Sequence, residues 1–391
     1  MRQYSLFLHM QCRVLIFVLT LALLMLLSVP SLPSALADGG APNLAYVSGA
    51  AAGVSVIDVA QQQVTSTIKA TGDPHNILLS GDARFLYVTQ PQTGQVQFIA
   101  AKTGETFCTV KVPGQPSLLA IDYGANTLFT GGNASSTVTA IDVRNCNIKH
   151  TLQVPGPVKG LALASVASSL SNGTGNQLWV SAGNKLTVYD DAKWNQINSI
   201  SIPGDPQYIS IPAGATVYAT TTQGSVIAVD LNSYKVVPLI SGGQYGPMDY
   251  DAITGEVYVP DQTHNRLVVL SPVNAGFTPP REPSRTISVA GHPESVAITS
   301  DGQLGFVALA SGDVAMLDIP GRETIKTIAV GGNPHFIITG LYPPVIGTTP
   351  QQANTWGIIL NVLAYILVLA LLIIPIVVYR RYAKVRPNRE E

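Results

Sequence analysis

The chain has 391 residues, 46% of them hydrophobic and only 12% charged, with a formal net charge of −1. That length supports one sizeable core, and the near-zero charge leaves no electrostatic footprint for binding nucleic acid. Low charge combined with abundant Gly, Ser, Thr and Asn suits an all-β domain outside the cytoplasm.

The N-terminus fits that compartment. Arg2, His9 and Arg13 precede an apolar run at 14–27, and Ala35-Leu36-Ala37 supplies the small residues that a signal peptidase needs. Residues 1–37 are therefore read as a signal peptide, with Asp38 the first mature residue and 38–43 a short lead-in. An uncleaved anchor is the alternative.

From there the chain repeats itself. Between Gly72 and Gly114 it reads as a Gly-x-Pro turn, an apolar run ending in a polar turn at 77–82, a Tyr-Val strand at 85–89, an alternating strand at 96–100 and a last strand at 106–112. Short strands with turn chemistry between them make an antiparallel meander. Gly-x-Pro or a close variant recurs at Gly72, Gly114, Gly156, Gly204, Gly246, Gly291 and Gly332, at intervals of 42, 42, 48, 42, 45 and 41 residues. The third strand of each copy ends at Asp58, Ala100, Asp142, Asp190, Asp230, Ser271 and Asp318. A lone meander cannot bury both faces, so a period of this length with four strands per unit predicts a radial array of blades.

The expected fold is thus a seven-bladed β-propeller of four-stranded antiparallel blades over residues 44–340. The mature chain enters at 44–48, in the register of a second strand, so the missing innermost strand must come from 336–340. One C-terminal strand would then join three N-terminal ones. Closure of this kind removes the exposed sheet edges.

Where the copies are clearest, Ala45-Tyr46-Val47 running to Val54-Ser55-Val56-Ile57-Asp58 and Val330-Gly331-Gly332-Asn333-Pro334, the chain resembles the YVTN family of seven-bladed propeller repeats. The resemblance covers roughly 43–340. It implies the propeller fold and no particular substrate, since such propellers serve many functions.

Two copies carry inserts, at 165–176 after an innermost strand and at 272–284 after a third strand. In an up-and-down meander both lie on one face of the disc. The innermost strand of the first blade also ends there, so the linker 341–355 leaves from that face and the Gly-x-Pro face points the other way. After the linker, 357–379 is apolar and uncharged, and at about 1.5 Å per residue it spans a ~30 Å hydrocarbon core. The segment 356–379, with Trp356 and Tyr379 at its ends, is read as a transmembrane helix. Arg380, Arg381, Lys384, Arg386 and Arg389 in the tail 380–391 place the C-terminus in the cytoplasm. The expected product is a single-pass cell-membrane protein with its disc outside, touching lipid through this helix.

Of the cysteines, Cys12 falls within the signal. Cys108 and Cys146 remain in an oxidising compartment, where a disulfide between them is the first expectation. Against it, Cys108 lies on the outermost strand of one blade while Cys146 lies four residues before the matching place, His150, on the next. Blades splay at the rim, and Cα atoms beyond about 7 Å cannot be bridged.

The residues following the Pro turns open the innermost strands and so crowd the mouth of the central channel. In blade order they are His335, His75, Ser117, Lys159, Gln207, Met248 and Glu294. His75, His335 and Glu294 fall on successive blades. Two imidazoles and a carboxylate could hold a divalent metal or do acid–base work; a structural role at a crowded mouth is the competing reading. His292 lies near the mouth, and His150 and His264 are expected on the surface. The recurrent Asp58, Asp142, Asp190, Asp230 and Asp318 are read as acceptors for turn N–H groups.

No P-loop, His-Glu-x-x-His, nucleophile elbow or haem-attachment motif occurs. The sequence therefore points first to a binding module offering its membrane-distal face to a protein, glycan or small ligand. It needs no cofactor on this reading. The rivals are a propeller enzyme of lactonase, lyase or metal-dependent type using the channel mouth, and a surface-layer component.

Overall fold

The computed structural model describes residues 44–165, 176–212, 216–273 and 285–341. The signal peptide, most of both inserts, the linker beyond Leu341, the apolar run 357–379 and the basic tail lie outside them. Among the described residues no helix is long and apolar enough to cross a membrane.

Those residues form seven four-stranded antiparallel sheets, each one blade. The first blade combines β1 (Leu44–Ala50), β2 (Gly53–Asp58) and β3 (Gln63–Ile68) with the last strand of the chain, described below. The second holds β4 (Ile77–Leu79), β5 (Phe85–Gln90), β6 (Gln95–Ala100) and β7 (Thr106–Lys111). In the third lie β8 (Leu118–Asp122), β9 (Thr127–Gly131), β10 (Thr137–Asp142) and β11 (Ile148–Gln153). The fourth holds β12 (Val158–Ala164), β13 (Gln177–Ala182), β14 (Lys185–Asp190) and β15 (Gln196–Ser201). Next come β16 (Pro206–Ser210), β17 (Thr216–Thr221), β18 (Ser225–Asp230) and β19 (Val236–Ser241). The sixth has β20 (Asp249–Tyr250), β21 (Val257–Asp261), β22 (Arg266–Leu270) and β23 (Arg285–Ser288). The seventh has β24 (Pro293–Ile298), β25 (Leu304–Leu309), β26 (Asp313–Asp318) and β27 (Glu323–Ala329).

The ring closes as the register of the N-terminus requires. The final strand, β28 (Phe336–Gly340), pairs antiparallel with β1, from Leu44 opposite Gly340 to Ser48 opposite Phe336. The sheet order of the first blade is consequently β28-β1-β2-β3, the innermost position filled from the far end of the chain.

The core lies between blades rather than within them, because each meander has two apolar faces and no other way to cover them. Its clusters fall at successive blade junctions. Tyr46 and Val56 meet Leu86 and Ile99 between the first two blades. Ala45 and Val47 meet Phe306 and Met316 where the last blade meets the first. Burial follows position: every residue of β1 is buried, whereas β3 and β27 on the rim are largely exposed.

The repeated aspartates act on their turns. Gln61 N–H donates to Asp58 Oδ1 at 2.8 Å, Arg144 N–H to Asp142 at 2.9 Å, and Lys193 N–H to Asp190 at 2.8 Å. Ser233 N–H donates to Asp230 at 2.7 Å and Gly321 N–H to Asp318 at 3.1 Å. Each carboxylate satisfies donors that a tight turn would otherwise leave unpaired. These groups are structural and dispersed around the disc.

Two details depart from the sequence pattern. The third strand of the sixth blade stops at Leu270, one residue before Ser271. Its innermost strand is reduced to Asp249–Tyr250, because Pro247 and its neighbour strand's Pro260 both lack an N–H for the ladder. Asp249 compensates across the junction, its Oδ2 accepting the Ile298 N–H of the seventh blade at 2.7 Å.

At the rim, Cys108 and Cys146 form a disulfide with Cα atoms 6.6 Å apart. The register objection fails because Cys146 is not on an outer strand. It sits in the turn after β10 with φ +62°, its N–H bonded to the Asp142 carbonyl at 2.9 Å. That turn carries its Cβ back toward β7, within the reach a disulfide allows.

Candidate functional site at the channel mouth

The Gly-x-Pro turns place the post-proline residues at one end of the channel by locking the chain as it crosses from a rim strand to the next innermost strand. Close packing there demands glycine. Gly49 has φ +76°, and a Cβ at that position would overlap the Asn333 carbonyl and lie 2.8 Å from the His335 ring. The end of β1 thus touches the turn that leads into β28, the innermost strand of its own blade.

Of the predicted residues, His75 and His335 come together. Their rings stack with centroids 4.9 Å apart and planes 17° from parallel. His335 Nε2 lies 3.1 Å from Asp73 Oδ1, and its backbone N–H donates to the Ser48 carbonyl at 3.0 Å. The Ser48 hydroxyl donates to the His75 carbonyl, not to its ring, so no Ser–His nucleophilic pair is present at this point. Burial, then the neighbouring His335 ring, pushes the His75 imidazole down to about 4, against a hydrogen bond to the Ser117 backbone and the Asp73 charge. The His75 ring is therefore neutral at physiological pH. Its Nδ1 is buried and has no hydrogen-bond partner among the described residues.

Glu294 does not join the two histidines. Its Oε1 lies 3.0 Å from His292 Nδ1, inside its own turn. Among the described residues no group of three His, Cys, Asp or Glu side chains is placed to hold a metal ion. The expected metal site of His75, His335 and Glu294 does not assemble, because the carboxylate is engaged locally and the imidazoles face each other rather than a common point.

The other mouth residues are also committed. Lys159 Nζ pairs with Asp205. Gln207 Nε2 donates to the Tyr245 carbonyl at 3.3 Å. Ser117 contributes backbone, donating its N–H to the Gly131 carbonyl at 2.9 Å, and Met248 packs against the core between the fifth and sixth blades. Away from the mouth, His264 Nδ1 lies 2.8 Å from the fully buried Asp261 and His150 stacks on Trp194.

Sequence reasoning missed Asp73 and Asp205, the central residues of two Gly-Asp-Pro turns. In each case the turn of one blade supplies a carboxylate to a basic side chain opening the preceding blade: Asp73 to His335, and Asp205 to Lys159. The available signal was Gly-Asp-Pro itself, which places a carboxylate beside a position that holds a cation one blade earlier. Beside the first of these braces, a surface cavity of about 630 Å³ is lined by Ala50, Gly53, Lys69, Gly72, Asp73 and Gln92.

No family model matches the chain, and neither does any curated protein. Solved structures do match. Hydrazine synthase from Kuenenia stuttgartiensis is similar at 18% identity and a TM-score of 0.55, over 65% of this chain and 79% of that one. The dihydro-heme d1 dehydrogenase NirN, solved in complex with DHE, matches at 14% identity and a TM-score of 0.57, over 81% and 78%. A chain of the mitotic checkpoint complex matches at 16% identity and a TM-score of 0.56, over 68% and 81%. Likeness at such identity establishes the β-propeller fold and nothing about activity.

Proposed function

We propose that the protein is a binding module: a YVTN-like propeller held outside the cytoplasm by its C-terminal apolar segment and engaging a partner through the Gly-x-Pro face. One observation carries this. Apart from His75, which only stacks on His335, the ionisable side chains opening the mouth are spent on neighbours, as His335 with Asp73, Lys159 with Asp205 and Glu294 with His292. Groups paired in this way brace turns against their neighbours, and a catalytic constellation would need them directed at a substrate. Beside the braces lies the preformed cavity with Lys69 and Gln92 on its wall. Concave sites of this size on rigid scaffolds suit recognition. Propellers with the same fold range from enzymes to a member of the mitotic checkpoint complex, so the choice rests on the mouth itself.

Crosslinking in native membranes tests the reading. The full chain bearing a photoreactive residue in place of Gln92 is expected to yield a discrete adduct. The same probe on exposed Ile325, at the rim, yields none. Equal labelling from both positions, or a Lys69→Glu variant with an unchanged adduct, refutes it.

A further inference from the structure

The opposite face carries a second site, between the second and third blades. A cleft of about 490 Å³ lies there, walled by Phe85, Phe107 and Tyr123 with Asp82, Asn126 and Arg144 at its rim. We propose that this cleft binds a neutral saccharide.

The aromatic side chains are the first ground. Tyr123 and Phe107 are 56% and 57% exposed, an unusual setting for large rings that serve no core. Both are nevertheless held in place. The Tyr123 hydroxyl donates to the Leu79 carbonyl at 3.1 Å, and the ring lies so close to Gly81 that a Cβ there would come within 3.1 Å of it. Phe107 tilts against Phe85 with ring centroids 5.4 Å apart. The neighbouring Cys108 ties this strand to the next blade through its disulfide. Exposed rings fixed before any ligand arrives offer flat apolar faces at low entropic cost. The C–H face of a pyranose ring is complementary to such a surface.

The rim is the second ground. Arg144 forks onto Asp142 through Nε at 3.0 Å and Nη2 at 2.7 Å, and Asp82 lies 3.5 Å from Arg84 Nε. Each charge is answered inside the protein, so the cleft has no net sign and selects against charged ligands. Planar polar groups remain. Asn126 uses its backbone carbonyl for the Val143 N–H at 3.1 Å, and its side-chain amide has no partner among the described residues. That amide offers a donor and an acceptor side by side, the arrangement that adjacent hydroxyls on a sugar match with two hydrogen bonds.

The experiment uses the full chain in a detergent without a sugar headgroup. It is titrated with hexamers of glucose (α- and β-linked) and of N-acetylglucosamine, and with a proline-rich peptide, binding being read by calorimetry. At least one oligosaccharide is expected to bind. Tyr123→Ala and Phe107→Ala should each weaken it by about tenfold or more, while Tyr123→Phe, which keeps the ring, stays within about threefold. Asn126→Gly preserves the left-handed backbone at φ +52° and removes only the amide, and it too should weaken binding. Circular dichroism of each variant separates loss of the site from loss of the fold. The proposal is overturned if no oligosaccharide binds, if binding survives Tyr123→Ala in the folded protein, or if the peptide alone binds. Because this cleft is on the face opposite the mouth, Lys69→Glu leaves saccharide binding unchanged, so the two readings fail separately.

Discussion

Closure by β28 is tested most sharply at Ile337. This side chain is 1% exposed and packs in a cluster with Val47 of the first blade and Phe306, Val314 and Met316 of the last. Ile337→Ala removes the contact that the C-terminal strand makes with both. Such truncations cost about 2–5 kcal/mol according to how far the surroundings collapse into the void. Here the walls belong to two separate sheets fixed by their own ladders, so collapse is limited and about 3–4 kcal/mol is expected. Ile325→Ala, at an exposed position on β27, is the control and should change stability by less than about 0.5 kcal/mol. Urea unfolding of the chain carrying Trp356→Phe reports through Trp179 and Trp194 in the fourth blade, far around the ring from the seam. If the seam holds the disc together, that distant fluorescence and the circular dichroism shift to the same lower midpoint. A loss below about 1 kcal/mol, or a fourth-blade transition that stays in place, would show that β28 does not close the ring in solution.

Further predictions concern single groups. Reduction of Cys108–Cys146, or Cys108→Ser, opens a link between residues 38 apart and should cost about 2–4 kcal/mol, with non-reducing peptide mapping to establish the bond. Asp230→Ala releases the N–H groups of Asn232 and Ser233 and should cost about 1–2 kcal/mol, with the crosslink at position 92 unaffected. His75, held down to about 4 by burial and by His335, binds no proton between pH 4 and 6.5 when folded but does when unfolded. Stability is therefore lost as pH falls through that window, and ring NMR should show His75 still neutral at pH 5. Asp191 shows the reverse sign. Burial, and the hydrogen bond that its protonated carboxyl donates to the Asp122 carboxylate, push it up to about 7, so the folded state holds the extra proton and stability falls as pH rises toward 7. Asp191→Asn should gain about 1–2 kcal/mol on the parent between pH 5 and pH 8.

The fold was legible because each blade repeats the same local solution. Tyr46-Val47 and Tyr87-Val88 mark buried second strands, and Asp58, Asp142 and Asp190 mark the turns that follow the third. These are short-range facts, and closure followed from them by counting strands. The disulfide was harder, since it depends on a left-handed Cys146 in a turn, which strand register cannot show. The mouth was least legible. Its list of residues came from the repeat, but which of them meet depends on groups brought together only when the ring shuts: Asp73 and His335 are 262 residues apart in the chain. The expected metal triad assumed that proximity by blade was enough. Glu294 instead found His292 two residues away, and a partner already in the turn needs less ordering than one across the channel. The same logic explains why the mouth ended up braced. Gly-Asp-Pro sets a carboxylate where the preceding blade's first side chain passes, at Asp73 beside His335 and at Asp205 beside Lys159, so these groups are answered as the disc assembles.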